Sequence, residues 1–408
     1  MLLGTATGQW RTIGLRLLAT NMHATSNGPS PKRSLGLADV VALESSIASV
    51  DGTRGELVIR GYAIDDLARE TSFEEVAYLL WHGALPGRRE LRELCEYLRA
   101  ERTLSPMVLD VLRLTPEDAS PMAAVRTSVS ALAHFDAEAD DMSREANYRK
   151  AIRLTARIPT VIAAFDRIRK GKEPIAPSNA GSTAENFLYM LTGKEPGPSA
   201  KQALDAALVL HTEHGLNAST FTARVIGATL ADIYSAITGA IGALKGPLHG
   251  GANIKVMQML LEIDRSRDDP SEYVRKRLAA GERIMGFGHR VYRTIDPRAK
   301  VLRSMLEALG EEHDNHTWAT YCDHLVKTMA SEKGIAPNVD FYSAPVYYLL
   351  GIDPDLYTPL FVMSRITGWT AHLLEQWTNN RLIRPRASYI GPHNLRVPPI
   401  TTRSGLIA

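Results

Sequence analysis

Cysteine is nearly missing. The 408 residues hold two, Cys95 and Cys322, far apart in the chain. That excludes a disulfide framework and the paired spacing of a cysteine zinc site, and it fits a reducing compartment. Apolar runs long enough to span a bilayer are also missing. Neither sign of charge is in excess: 47 Lys and Arg against 45 Asp and Glu give a formal net charge of +2. A general nucleic-acid binder shows an obvious basic surplus and aromatic residues interleaved with basic ones, and neither is found here. Strand-like alternation is scarce, with one small hairpin expected around Gly55–Ile59 and the DGTRG turn. No repeat of 20–50 residues stands out.

Acidic residues are absent from Met1 to Ala38, where Arg11, Arg16, Lys32 and Arg33 are basic and SNGPSPKRS at 26–34 reads as a linker. Residues 1–36 are therefore read as a flexible basic tail, and the expected location is cytoplasmic. A transit peptide is the alternative reading, and it would point to the mitochondrial matrix.

What the chain does hold is helical periodicity. Amphipathic segments recur from Asp65 to Trp81, Glu90 to Arg99, Ser120 to His134 and Glu145 to Arg167. They recur again over 200–244, 256–263, 270–280, 298–309, 317–333 and 360–379. Thr115 with Glu117 and Asp118 reads as a helix start. Many helices and hardly any strands make this an all-α chain. Its length suits more than one domain, or one large helical domain with a smaller one.

Five stretches carry chemistry-bearing residues. KGPLHGGAN (245–253) sets His249 between a helix-stopping Gly-Pro and two glycines. With Asn253 in the first turn of the next helix, His249 would sit at a helix N-terminus. The positive end of that dipole would keep it neutral and able to donate a hydrogen bond. MGFGHRVYRTIDPR (285–298) joins His289, flanked by Gly286 and Gly288, to Arg290, Arg293 and Arg298, a composition suited to anions. PNVDFYSAP (337–345) places Asp340 among aromatic residues, where desolvation raises a carboxyl pKa toward that of a general base. HTEH (211–214) puts two histidines three apart in an apolar helix, on one face, with the wrong spacing for the HExxH zinc motif. Arg365 lies in an apolar helix and wants an anionic partner, and Arg384 and Arg386 follow. Taken singly, each stretch has an ordinary structural reading: a helix turn, a basic loop, a capping Asp, a core histidine pair.

Their order and spacing, from HTEH through GPLHGGAN, GFGHRVYRTIDPR and PNVDFYSAP to SRITGWTAH and RPR, resemble the citrate synthase family in its compact bacterial and archaeal form. The likeness runs from about Leu37 to Pro392. It implies a large helical domain (37–250 and 352–408) with an inserted smaller helical domain (251–351). It also implies a homodimer and condensation of acetyl-CoA with oxaloacetate and water to citrate and CoA, with no metal or other cofactor. By the same resemblance Asp340 removes the methyl proton, His249 hydrogen-bonds the thioester carbonyl and His289 protonates the oxaloacetate ketone. His214, Arg298 and Arg365 bind oxaloacetate. Arg384, with Arg386 as its alternate, reaches the partner's site, and Arg283, Gly286, Gly288 and Lys333 hold CoA. The glycines around His249 would clear room for the thioester. Two other readings remain at this level: a 2-methylcitrate synthase using propionyl-CoA, and a catalytically inert helical CoA-binding scaffold. Neither nucleic acid nor membrane is an expected partner.

Overall fold

The structure, a computed structural model, describes residues 35–37 and 40–403. The chain divides into two units, Met1–Glu44 and Ser45–Ala408. The described part of the first unit holds one 3-10 turn, Leu35–Leu37. The tail expected over 1–36 lies outside the described residues, Leu35 and Gly36 apart.

The second unit opens with a small antiparallel sheet, β1 (Ala48–Asp51), β2 (Glu56–Ile59) and β3 (Tyr62–Ala63), in that order. Ser49 faces Val58 and Ile59 faces Tyr62. The elements after it are helical: α1 (Ile64–Glu70), α2 (Phe73–His82), α3 (Arg88–Ala100), α4 (Pro106–Arg113), α5 (Pro121–Leu132), α6 (Arg144–Arg169), α7 (Thr183–Thr192) and α8 (Pro198–His211). Then come α9 (Ala218–Gly227), α10 (Ile233–Leu244), α11 (Ala252–Ser266), α12 (Pro270–Ala279), α13 (Pro297–Glu312), α14 (Thr317–Lys333), α15 (Val339–Leu349) and α16 (Tyr357–Thr378). The fold is all-α, as the periodicity implied.

Local chemistry fixes the helix starts. Ser72 with Glu75 and Ser182 with Glu185 form reciprocal capping boxes, each satisfying two otherwise orphaned N–H donors. Ser105, Ser143, Asn217, Asp232, Asp269, Asp296 and Asn338 cap seven more helices with a single side-chain acceptor. The middle of the core is α16, whose side chains are buried nearly all round; it packs on α2, α6, α8, α9 and α10. A helix apolar on every face has to be central. Downstream of His249, α12 packs on α14, and α11 and α13 pack on α15, while α13 also meets α1 and α8.

Two local expectations fail. The helix expected over 200–244 is three helices. α8 ends at His211, Gly215 turns with a positive φ of 61°, and Asn217 caps α9. His211 and His214 therefore do not share a helix face, because a left-handed glycine and a strong Asn cap break the helix where apolar periodicity alone runs on. The helix start expected at Thr115 is a turn, and the next helix begins at Pro121. Proline at the first helical position outcompetes the acidic pair upstream.

Candidate active site

The reacting candidates lie in the loops between helices (His214, His249, His289), in the first turn of a helix (Arg298, Asp340) or on α16 (Arg365). His249 lies in the tight turn between α10 and α11, closed by bonds from the N–H groups of His249 and Gly250 to Gly246 O, 2.9 and 3.1 Å. Gly251, with φ of 86°, is the cap residue of α11. A Cβ on Gly250 would collide with the Leu244 carbonyl and lie 3.0 Å from Thr358. This glycine is thus needed for packing against α10 and α16, not to clear space for a ligand.

The helix whose N-terminus meets the His249 ring is α9, not α11. Ser219 N–H lies 3.3 Å from His249 Nε2 and Ser219 Oγ 2.9 Å from it. The Ser219 hydroxyl is itself fixed by Asn217 Oδ1 at 2.8 Å and by the Trp369 indole N–H at 3.2 Å. A backbone donor facing Nε2 puts the ring proton on Nδ1, which makes that nitrogen the ring's donor. Burial, followed by the Arg365 charge, pushes the imidazole down to about 4. It is therefore neutral at physiological pH, and burial is the main cause.

His289 lies in the loop between α12 and α13. Its Nδ1 accepts from Val291 N–H (3.0 Å) and Tyr292 N–H (3.2 Å). The proton is then on Nε2, the opposite tautomer from His249. Burial, with help from the Arg298 charge, lowers its pKa as well. This loop is held by the sheet: Arg293 N–H donates to Gly52 O in the β1–β2 turn at 2.7 Å. A Cβ at Gly52 would strike the Val291 carbonyl, so only glycine permits the approach.

Asp340 lies in the first turn of α15. The cap of that helix is Asn338, whose Oδ1 accepts from Asp340 N–H at 3.0 Å. The Asn338 amide also donates to Gly288 O at 2.8 Å, and Asn338 N–H bonds Gly286 O at 2.9 Å. Residues 286–288 and 336–338 thus form a short antiparallel bridge that sets the His289 loop beside the Asp340 helix. Gly286 is tight here: a Cβ would lie 2.8 Å from Val256 and 2.9 Å from Phe341. Burial raises the Asp340 carboxyl to about 6, against the pull of Arg298.

Two buried guanidinium groups organise the charge. Arg298 grips Asp296 with two bonds, Nε–Oδ1 2.9 Å and Nη2–Oδ2 2.8 Å. Asp296 Oδ2 also accepts from Val339 N–H at 3.2 Å, tying α13 to α15. Burial alone would raise Asp296, but the paired guanidinium holds it below the usual carboxylate range. Arg365, 1% exposed, donates from Nε to His211 O at 2.7 Å and lies over the Phe361 ring at 4.6 Å. Its Nη2 has no hydrogen-bond partner among the described residues. Burial lowers its pKa to about 10, with Glu213 opposing that shift and Arg298 adding to it. A buried cation with an unused donor is a built-in receptor for an anion. His214 stands between these charges, with its ring 5.3 Å from that of His289, and burial and both arginines push its pKa well down.

The structure therefore brings His214, His249, His289, Asp340, Arg298 and Arg365 into one electrostatically linked group. Arg384 and Arg386 are exposed on the irregular segment after α16, and Arg283 and Lys333 are exposed at loop and helix ends. Ser219, Tyr292, Asp296 and Asn338 are supporting residues that the sequence motifs do not single out. The caps among them have a local signal, a Ser, Asp or Asn before an apolar run. Their second contacts, across 30 to 50 residues, have none. Among the described residues no group of three His, Cys, Asp or Glu is placed to hold a metal, and no helix is long and apolar enough to cross a membrane.

A buried carboxyl poised to titrate near neutrality, two neutral imidazoles with opposite tautomers and two buried arginines make an acid–base centre for an anionic substrate. The chain belongs to the citrate synthase family, whose C-terminal domain model matches residues 36–386. It is 52% identical over 372 residues to the citrate synthase of Haloferax volcanii, covering 90% of this chain and 98% of the relative. It is 46% identical over 384 residues to the 2-methylcitrate synthase of Mycobacterium tuberculosis, covering 93% and 96%. Its fold is similar to that of the citrate synthase of Thermoplasma acidophilum, solved as a ternary complex with carboxymethyl coenzyme A and oxaloacetate. The TM-score is 0.83 at 33% identity, covering 90% of this chain and 98% of that one.

Proposed function

We propose that this enzyme condenses acetyl-CoA with oxaloacetate and water to give citrate and CoA. The observation that carries the reading is the pairing of a carboxyl raised to about 6, Asp340, with two neutral imidazoles whose accepting nitrogens are fixed, so that each has one N–H as its donor. Asp340 takes a proton from the acyl methyl group while His249 Nδ1–H donates to the thioester oxygen, stabilising the enol as it forms. The methyl proton is too weakly acidic for a base acting alone. The enol carbon attacks the oxaloacetate ketone, whose oxygen takes the proton from His289 Nε2. Water then cleaves the thioester, releasing citrate and the CoA thiol. Arg298, Arg365 and His214 hold the two substrate carboxylates. The mechanism requires no metal or other cofactor, CoA thioester being a substrate.

The smaller domain we assign is 251–351, closing on the rest so that water is excluded until the carbon–carbon bond forms. We assign Arg283, Gly286, Gly288 and Lys333 to CoA, and Arg384 to the partner's site in a homodimer. The dimer is supported by the segment after α16, which exposes Leu382, Tyr389, Ile390, Leu395, Val397 and Ile400, more apolar surface than an isolated chain carries without reason.

Propionyl-CoA is the second acyl donor to weigh, because a 2-methylcitrate synthase is 46% identical to this chain. Thiol release with oxaloacetate and each acyl-CoA tests both readings. A higher kcat/KM for acetyl-CoA supports citrate formation, and the reverse ratio supports methylcitrate. No thiol release from either would sink both, leaving the inert scaffold.

A further inference from the structure

Tyr292 touches both His289 and His214, with different atoms. Its backbone N–H donates to His289 Nδ1 at 3.2 Å, and its phenol oxygen lies 3.1 Å from His214 Nε2. The residue is 3% exposed, its ring centre is 4.7 Å from that of His289 and 5.5 Å from that of His214, and its hydroxyl has no other hydrogen-bond partner among the described residues. We propose that Tyr292 is a positioning residue for oxaloacetate, acting by fixing the tautomer of His214. This rests on the reading of the site as an oxaloacetate site.

The direction of the bond follows from charge. His214 is neutral, so it has one N–H and one lone pair to offer. If the phenol accepted from Nε2–H, the Nδ1 lone pair would be the group left for the substrate, and a lone pair repels a dianion. If the phenol donates to Nε2, Nδ1–H is left as a donor, alongside the arginines. The second arrangement suits an anionic ligand, so Tyr292 O–H is the donor and His214 Nε2 the acceptor. Tyr292 thereby sets His214 by its side chain and helps set His289 by its backbone. Substitution of the phenol alone separates the two effects, because the backbone N–H survives.

The test is a double-mutant cycle on Tyr292 and His214. Tyr292→Phe removes one oxygen and keeps the ring packing. Its dissociation constant for oxaloacetate, by calorimetry, is expected to rise roughly ten-fold, the worth of one hydrogen bond to a buried polar group. The KM for acetyl-CoA should stay within about two-fold. In a His214→Asn background the same substitution should change oxaloacetate affinity by less than about two-fold, since the group through which it acts is gone. A general packing defect would instead weaken binding equally in both backgrounds and disturb the acyl-CoA KM. Histidine 15N chemical shifts in the wild type should report His214 protonated on Nδ1, and a mixture of tautomers in Tyr292→Phe. Equal losses in both backgrounds, or unchanged oxaloacetate affinity in Tyr292→Phe while His214→Asn binds poorly, would overturn the role of Tyr292 and leave the site reading standing. Unchanged affinity in His214→Asn would overturn both.

Discussion

Replacing Asp340 by Asn should abolish turnover and make the protein more stable. The carboxyl is raised from 3.8 to about 6, mainly by burial. A shift of about two units corresponds to ~3 kcal/mol. The sign follows from linkage. A carboxyl whose folded pKa lies above its unfolded value carries no penalty below the unfolded value, where both states are protonated. Stability is then lost as pH rises from the unfolded value to about 6, and the loss is constant above it. About half of the penalty is present at pH 5, and all of it at pH 8. Asp340 retains some solvent contact, so screening brings the pH 8 figure down to ~1–2 kcal/mol. Asn keeps the size and loses the charge. Urea unfolding of the two proteins at pH 5 and pH 8 should show the variant more stable, by the larger margin at pH 8. A variant less stable than wild type at pH 8, or a margin that shrinks as pH rises, would refute the view that burial strains this carboxylate.

Four further outcomes follow from the same geometry. The acid limb of kcat/KM should bend near pH 6, where Asp340 gains its proton; a limb flat down to pH 4.5 would remove it as the base. Ser219→Ala should lower kcat roughly ten-fold, because His249 Nε2 loses its 2.9 Å partner, with oxaloacetate affinity nearly unchanged in calorimetry. Gly52→Ala should cost at least about ten-fold in kcat by pushing the His289 loop away, whereas Thr53→Ala, in the same turn, should turn over as wild type. Arg298→Lys should raise the oxaloacetate dissociation constant by about a hundred-fold, since a point charge cannot replace the two-bond grip on Asp296 and still reach the substrate.

The helices and the reacting residues are legible in the sequence because their signals are local. Periodicity with Pro270 at the first turn marks where α12 starts, and Gly281 and Gly334 mark where α12 and α14 end. The motif glycines mark His249 and His289. What sequence does not report is which residues stand side by side. The KGPLHGGAN motif points His249 at the N-terminus of α11, yet its ring meets α9, thirty residues earlier, because the tight 246–250 turn folds the imidazole back. Gly250 looks like room for a thioester, and its free side is filled by the Leu244 carbonyl and Thr358. HTEH looks like one helical face because the apolar run continues through it. The break comes from Gly215 and the Asn217 cap, signals weaker than the periodicity around them. The bridge of Asn338 to Gly288 and of Asp296 to Val339 depends on packing of α13 against α15, which no window of sequence reports.

The most direct measurement of the central claim is the product formed from acetyl-CoA fully deuterated in its methyl group, with oxaloacetate, followed by mass spectrometry. One deuteron should leave to Asp340 and two should remain, giving doubly deuterated citrate together with free CoA, and Asp340→Asn should give none. Thioester hydrolysis to triply deuterated acetate without citrate, or unchanged citrate formation by Asp340→Asn, would contradict the assignment of condensation to this site.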